Sequence, residues 1–173
     1  MKKMKLAKTS IIFMFVLMVT VAFFGCSTSM EYINQGDVVE GKHYELVIDK
    51  IEVTDAVQFI NPAEGNVFVA VKFHYKNITE ESVEYKELPT ITLASSENEK
   101  EYKINYDASN IYAIIEDVDY SIMTEPLEAE QTRMDAEVYE VSRADVEAGM
   151  LEVRIDNTKK AVKVELATGE EEQ

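Results

Sequence analysis

The chain has 173 residues with 33 acidic and 17 basic side chains, so its formal net charge is -16 at pH 7. A surface this acidic repels phosphate backbones and anionic lipid headgroups, and we therefore expect no nucleic-acid partner. The one cysteine excludes an intramolecular disulfide, so the core must come from aliphatic and aromatic side chains.

The N-terminal segment has the pattern of a signal peptide. Four lysines and no acid lie within the first eight residues, and residues 11–24 form an apolar run in which Thr20 is the only polar side chain. As a helix this run would measure about 21 Å, which is shorter than the roughly 30 Å hydrocarbon core of a bilayer. We predict a signal peptide over residues 1–25 and export of the rest of the chain.

The apolar run ends in Phe23-Phe24-Gly25-Cys26, which resembles the lipobox of bacterial lipoproteins. The resemblance implies cleavage between Gly25 and Cys26, lipidation of the Cys26 sulfur, and a protein anchored in the cell membrane on its extracytoplasmic face. Lipidation would also consume a thiol that is otherwise unpaired in an oxidising compartment. The alternatives are an uncleaved membrane anchor and an ordinary signal peptide followed by an incidental cysteine.

These boundaries divide the rest of the chain into three regions. Residues 26–35 are polar and predict a flexible tether, residues 36–167 predict one domain, and residues 168–173 form an acidic tail. Loss of residues 1–25 removes four lysines and no acid, which takes the net charge from -16 to about -20.

Alternation of apolar and polar residues predicts about eight short β-strands in the domain. The first covers residues 43–53 and changes phase across Asp49 and Lys50, a slip that a β-bulge absorbs. After a turn at 61–65, residues 67–75 show the clearest alternation, and their odd-numbered side chains are predicted to face the core. The other strands are predicted at 82–88, 90–94, 101–106, 132–141, 151–155 and 161–166.

Two segments interrupt this pattern. Residues 142–149 predict a one-turn helix between two sheets, with Ser142 as N-cap and Gly149 as terminator. Residues 108–123 carry aliphatic side chains at helical spacing, but helix, strand and loop all stay open for this segment. Ile111, Tyr112 and Tyr120 are candidates for an interaction surface, with core packing as the alternative interpretation. The aliphatic stripe consists of Ile111, Ile114, Ile115, Val118 and Ile122.

The succession of short strands and turns without a βαβ pattern predicts an all-β sandwich of about seven to eight strands with one or two short helical turns. A Gly36-Asp37 opening and a hydrophobic strand that follows Gly65 and ends at Asn77 resemble the telokin-like, immunoglobulin-fold domain of unknown function. That family is common on Gram-positive surface lipoproteins. The resemblance implies an immunoglobulin-like fold and a surface location, and it implies no activity.

The sequence offers little catalytic chemistry. It has two histidines, His43 and His74, and no nucleophile-elbow, phosphate-loop or zinc-protease motif. We predict that both histidines are exposed strand residues, that the protein is not an enzyme and that it needs no cofactor. Acids at 116–119 are a weak divalent-cation candidate, although they lack the spacing of a calcium loop. The residues concerned are Glu116, Asp117 and Asp119.

The functional hypothesis that follows is a lipid-anchored, non-enzymatic interaction module at the cell surface, whose partner is an unidentified envelope or extracellular protein. The alternative is an envelope lipoprotein that binds a cation or a small ligand through its acidic domain.

Overall fold

The computed structural model describes residues 29–118 and 125–165, and these form a sandwich of two four-stranded sheets. The strands are β1 (Glu31–Ile33), β2 (Val38–Glu40), β3 (Tyr44–Thr54), β4 (Asn66–Asn77), β5 (Ile91–Ser95), β6 (Thr132–Ser142), β7 (Leu151–Ile155) and β8 (Lys160–Lys163). Sheet A has the strand order β1-β8-β7-β5, and sheet B has the order β2-β3-β4-β6. The predicted all-β sandwich is therefore confirmed.

Within the described part of the chain, three helical elements connect these strands. A 3₁₀ helix covers Tyr85–Glu87, helix α1 covers Tyr106–Ile115, and helix α2 covers Arg143–Glu147. Helix α2 follows β6 of sheet B and precedes β7 of sheet A, so it crosses between the sheets as predicted. Ser142 is its N-cap residue in an extended backbone conformation, and Gly149 follows with a φ of +66°, which a glycine adopts without strain.

The predicted bend in the first long strand is present in β3. Its antiparallel register with β4 shifts between Ile48 and Lys50, which leaves Asp49 as the extra residue. Leu46 and Ile48 are buried on one side of this point, and Ile51 and Val53 pack against the same core on the other. The bulge therefore lets one strand keep its apolar side chains on the core face despite the change of phase.

Strand β4 is buried more completely than its alternation predicted. Its odd-numbered side chains from Val67 to Tyr75 lie in the core between the sheets, as expected. Phe68 and Ala70 on the opposite face are also fully buried, because α1 covers that face with a second, smaller apolar cluster. Sheet B is thus packed on both sides over part of its length.

Two segments that we predicted as strands have other structures. Residues 82–88 contribute one isolated bridge from Val83 to Leu127 and then form the 3₁₀ helix. This winding is supported by a reciprocal capping pair between Glu84 and Glu87. Residues 101–106 make single bridges, from Glu101 to β5 and from Ile104 to β6. Because this segment bonds to both sheets, it closes one open side of the sandwich and does not extend either sheet.

The sandwich begins earlier than we predicted. Residues 31–33, which we placed in the flexible tether, form β1 and pair in parallel with β8. The Glu31 backbone N–H donates to the Lys159 carbonyl oxygen at 2.7 Å, and Ile33 packs against the main core. Three residues are too few to show a period-two pattern, so the strand was invisible to that criterion.

Several predictions concern residues outside the described ranges: the signal peptide, the Gly25–Cys26 cleavage site, Asp119, Tyr120 and the acidic tail 168–173. Within the ranges 29–118 and 125–165, no helix combines the length and apolar character that crossing a membrane requires.

Candidate functional site

Capping contacts within the chain define both ends of helix α1. Asn105 is its N-cap, and the side chain of this residue accepts a hydrogen bond from the Ala108 N–H at 3.1 Å. Asp107 lies in the first turn, where a negative charge stabilises a helix N-terminus. At the other end the Val118 N–H donates to the Ala113 carbonyl at 2.8 Å, and Asp117 takes a φ of +57°. These contacts define where α1 begins and ends.

The buried side of α1 consists mainly of small residues. Ala108 and Ala113 are fully buried and share a cluster with Ala70 of β4 and Ala136 of β6. Small side chains on both surfaces allow the helix backbone to approach the sheet closely. The larger aliphatic side chains of the helix are consequently directed to its other sides.

The predicted interaction surface is rearranged by this packing. Tyr112 is 4% exposed, so it is not part of a surface. Its burial raises the pKa of the phenol to about 12, and its hydroxyl donates to Glu52 at 3.3 Å. Ile111 packs partly against the second cluster. The aliphatic side chains that α1 exposes to solvent are Ile114, 74% exposed, and Ile115, 48% exposed; we call these two the isoleucine pair.

A second exposed apolar residue lies close in the fold to α1. Phe59 is 77% exposed and sits in a tight loop closed by a Val57–Ile60 bridge. Both Val57 and Ile60 belong to the cluster beneath α1. The outer side of sheet B therefore carries exposed aliphatic and aromatic side chains on two neighbouring elements.

Glu116, one of the weak metal candidates, is paired with lysine side chains of the protein. One carboxylate oxygen of Glu116 lies 3.0 Å from Lys72 Nζ, and the other lies 3.1 Å from Lys50 Nζ. These two hydrogen bonds lower the pKa of Glu116. Among residues 29–118 and 125–165, no group of three histidine, cysteine or acidic side chains is placed to hold a metal ion. The role visible for Glu116 is to fasten the end of α1 to sheet B.

The two histidines differ from each other in environment. His74 Nδ1 lies 2.8 Å from an Asp49 carboxylate oxygen, and both side chains are more than two-thirds buried. The β3 bulge thus places Asp49 beside His74, whose register partner is Val47. This contact corrects the prediction that His74 is simply exposed. His43 precedes β3 in a partly exposed position.

Two acids that the sequence pattern did not single out face the interior. Asp135 and Glu137 of β6 lie on the same side of the strand as Tyr139, which is buried in the core between the sheets. Burial raises the pKa of Asp135 to about 6 and that of Glu137 to about 7. The Tyr139 hydroxyl donates to Glu137. The period-two pattern of β6 was the available signal, because it assigns odd-numbered residues to one face.

A shallow cleft adjoins this strand on the outside. Its volume is about 330 Å³, and it opens where residues 101–106 cross from β5 to β6. Titratable groups with raised pKa values near a cleft are candidates for a binding or catalytic site. The aromatic residues that line the cleft are Tyr102, Tyr106 and Tyr139.

Comparison with known proteins supports the fold and leaves the function open. No protein-family model and no curated protein matches the chain. A conserved hypothetical protein from Bacillus anthracis superposes with a TM-score of 0.64 at 21% identity, over 72% of this chain and 89% of that one. An uncharacterized β-sandwich protein from Clostridium difficile 630 gives a TM-score of 0.52 at 13% identity, over 79% and 95%. At these identities the similarity shows a shared β-sandwich fold.

Proposed function

We propose that this chain is a lipoprotein anchored on the extracytoplasmic face of the cell membrane, where its β-sandwich acts as a non-enzymatic module that binds another envelope or extracellular protein. The proposal has two parts, an anchor at Cys26 and a protein-binding surface on the sandwich, and each part has its own support and its own test.

The anchor is supported by the sequence that precedes the sandwich. A lysine-rich start, a fourteen-residue apolar run and Gly25-Cys26 are the features that direct export and lipidation in the proteins that the chain resembles here. Two or three acyl chains contribute about 0.8 kcal/mol for each buried methylene, which is enough for stable attachment.

The observation that carries the binding role is the exposure of the isoleucine pair. Ile114 and Ile115 are exposed to solvent on a helix whose other side packs against sheet B. Contiguous exposed apolar area is typical of sites where proteins dock. Phe59, on the neighbouring loop, extends the apolar character of this side of the domain.

Site-specific photocrosslinking on intact cells tests the binding role. A photoreactive phenylalanine analogue at Ile114 should crosslink one protein reproducibly, as identified by mass spectrometry. The matched control carries the same group at Val38, which is 51% exposed on the other edge of sheet B. Crosslinking to the same mixture of proteins from both positions, or to none from Ile114, would contradict the proposal.

The anchor is tested by Cys26→Ala. The substitution should abolish incorporation of labelled fatty acid, and it should move the protein from the detergent phase to the aqueous phase. An unchanged molecular mass and an unchanged partition would remove the anchor, and with it the cellular location that we propose.

A second candidate function is the binding of a cation or a small ligand, and it is favoured by Glu101 and the tyrosines that line the cleft at residues 101–106. Glu137 accepts a hydrogen bond from the hydroxyl of Tyr139, which is one of these tyrosines. A ligand that binds the folded state stabilises it, so calcium should raise the melting temperature more than magnesium does at the same concentration. Equal melting temperatures in the two salts would eliminate the calcium form of this candidate.

A further inference from the structure

The position of β1 determines how close to the membrane a lipid on Cys26 would hold the domain. The sheet begins at Glu31, whose register partner is Lys160 and whose N–H bonds to the carbonyl of Lys159 at 2.7 Å. The next residue, Tyr32, donates to Glu152 of β7 at 2.7 Å. The chain is therefore fixed to sheet A from residue 31 onward, by backbone and side-chain bonds together.

Little chain remains between this fixed point and the anchor. Five Cα–Cα steps separate Cys26 from Glu31, and fully extended they span at most about 18 Å. The headgroup region on one side of a bilayer is itself about 5 to 8 Å thick. The anchor therefore restricts the start of β1 to a layer next to the lipid headgroups, which a longer tether over 26–35 would not do.

The direction of β1 selects the end of the sandwich that lies in this layer. Because β1 runs parallel to β8, its first residue lies beside the turn at 156–159 that joins β7 to β8. The turn at 96–99 and helix α2 lie at the other end of sheet A, where Ser96 bonds to Met150 ahead of β7. Five strand residues and the two turns separate these ends by about 20 Å.

The turns of sheet A carry charges of both signs. The turn that adjoins β1 contains Asp156 and ends in Lys159, and the turn at the opposite end carries Glu97 and Glu99 and is followed by Lys100. In sheet B the turn after β4 carries Glu80 and Glu81 at the end away from α2, and glutamates are repelled by anionic headgroups. The short connection to β1 therefore carries the orientation, and it places the β1–β8 edge of sheet A nearest to the lipid.

We infer that the anchored sandwich stands against the membrane with the 156–159 turn facing the lipid headgroups and with the 96–99 turn and α2 directed away from the bilayer. This inference rests on the proposed anchor at Cys26. It leaves the distal end and the outer sides of the domain, including the isoleucine pair, as the surfaces that a partner can reach.

Depth-dependent quenching on the lipidated full chain tests this orientation. One variant, Lys159→Cys, carries a fluorophore at the turn beside β1, and the matched variant, Glu97→Cys, carries it at the opposite turn. Lipidation blocks the sulfur of Cys26, so each label is unique. In vesicles with nitroxide-labelled headgroups, we expect several-fold stronger quenching at position 159 than at position 97.

A lengthened tether provides a second test of this orientation. A flexible insertion of about twenty Gly/Ser residues after Ser29 adds a mean reach of about 25 Å, so quenching at position 159 should fall toward the value at position 97. Equal quenching at the two positions in a lipidated protein, or no effect of the insertion, would overturn the orientation alone. A protein that carries no lipid on Cys26 would overturn the anchor as well, and mass spectrometry separates the two results.

Discussion

The Tyr32 hydroxyl donates a hydrogen bond of 2.7 Å to Glu152, which lies two strands away in sheet A. The second carboxylate oxygen of Glu152 accepts from Arg154 Nε at 2.7 Å, and the Glu152 side chain is only 3% exposed. A buried carboxylate is costly unless it is paired and hydrogen-bonded. Tyr32 therefore donates the hydrogen bond to the other oxygen of this buried carboxylate. The same contact holds the first strand of the domain in sheet A.

We expect Tyr32→Phe to destabilise the domain by about 1 to 3 kcal/mol, because it leaves one oxygen of the buried Glu152 carboxylate without a donor. Urea unfolding followed by circular dichroism measures the change. The matched control is Tyr106→Phe, since Tyr106 is 73% exposed and its loss of a hydroxyl should cost less than about 0.5 kcal/mol. Equal stability of the two variants would show that the contact with Glu152 contributes nothing.

Glu116→Gln is expected to weaken the attachment of α1 to sheet B by about 1 kcal/mol at neutral pH, because it removes the charge that pairs with Lys50 and Lys72. The folded-state pKa of Glu116 is lowered. Its contribution to stability is therefore present above the pKa of the unfolded chain and is lost as the pH falls through the folded pKa. The difference between variant and wild type should accordingly shrink in acid.

The measurement for Glu116→Gln is a series of urea unfolding curves from neutral pH into acid, with Glu97→Gln as a control at an exposed position. The control should match the wild type throughout. A destabilisation by Glu116→Gln that stays constant across the series would contradict the ion-pair explanation.

Asp135 and Glu137 should make the domain less stable as the pH rises. Burial raises their folded pKa values to about 6 and about 7, from ordinary values of 3.8 and 4.5. Between the unfolded and the folded pKa of each group, the folded state binds more protons than the unfolded state. The stability that these groups contribute is therefore complete below their unfolded pKa values. It is lost as the pH rises through the folded values. A shift of two pKa units corresponds to about 3 kcal/mol.

The variants Asp135→Asn and Glu137→Gln test this pH dependence, because a neutral amide carries no charge to desolvate. Each should raise the melting temperature at pH 8 and flatten the decline between pH 4 and pH 7. In the Glu137→Gln variant the side-chain amide oxygen can still accept the hydrogen bond that the Tyr139 hydroxyl donates to Glu137 in the wild type. Melting temperatures with the same slope against pH in wild type and both variants would refute the explanation.

Sequence patterns predicted those parts of the fold in which one face of a strand is apolar and the other polar. The bulge at Asp49 and the inward side chains of β4 follow from that alternation. Strand β1 was not predicted because it has three residues and depends on a contact between Tyr32 and Glu152, which are 120 residues apart. No local pattern records such a contact.

The structure of residues 108–123 was left open for a different physical reason. Close packing on sheet B selects the side of α1 with Ala108 and Ala113, and the stripe of isoleucines does not mark that side. Alanine contributes little to a hydrophobic stripe although it permits the closest approach of a helix to a sheet. The inward acids of β6 were missed likewise, because Asp135 and Glu137 are residue types that rarely occupy an interior face.

The two faces of α1 predict opposite responses to substitution at adjacent positions. Ala113→Leu inserts a larger side chain into a site that is fully buried against the sheet, and overpacking of this kind costs about 1 to 3 kcal/mol. Ile114→Ala removes as many carbon atoms from the neighbouring position as Ala113→Leu adds, yet it should change stability by less than about 0.5 kcal/mol, because Ile114 is 74% exposed. Thermal unfolding of the two variants measures both effects. If Ile114→Ala were the more destabilising change, Ile114 would be part of the packed side of the helix, and it could not belong to the surface that we assign to a protein partner.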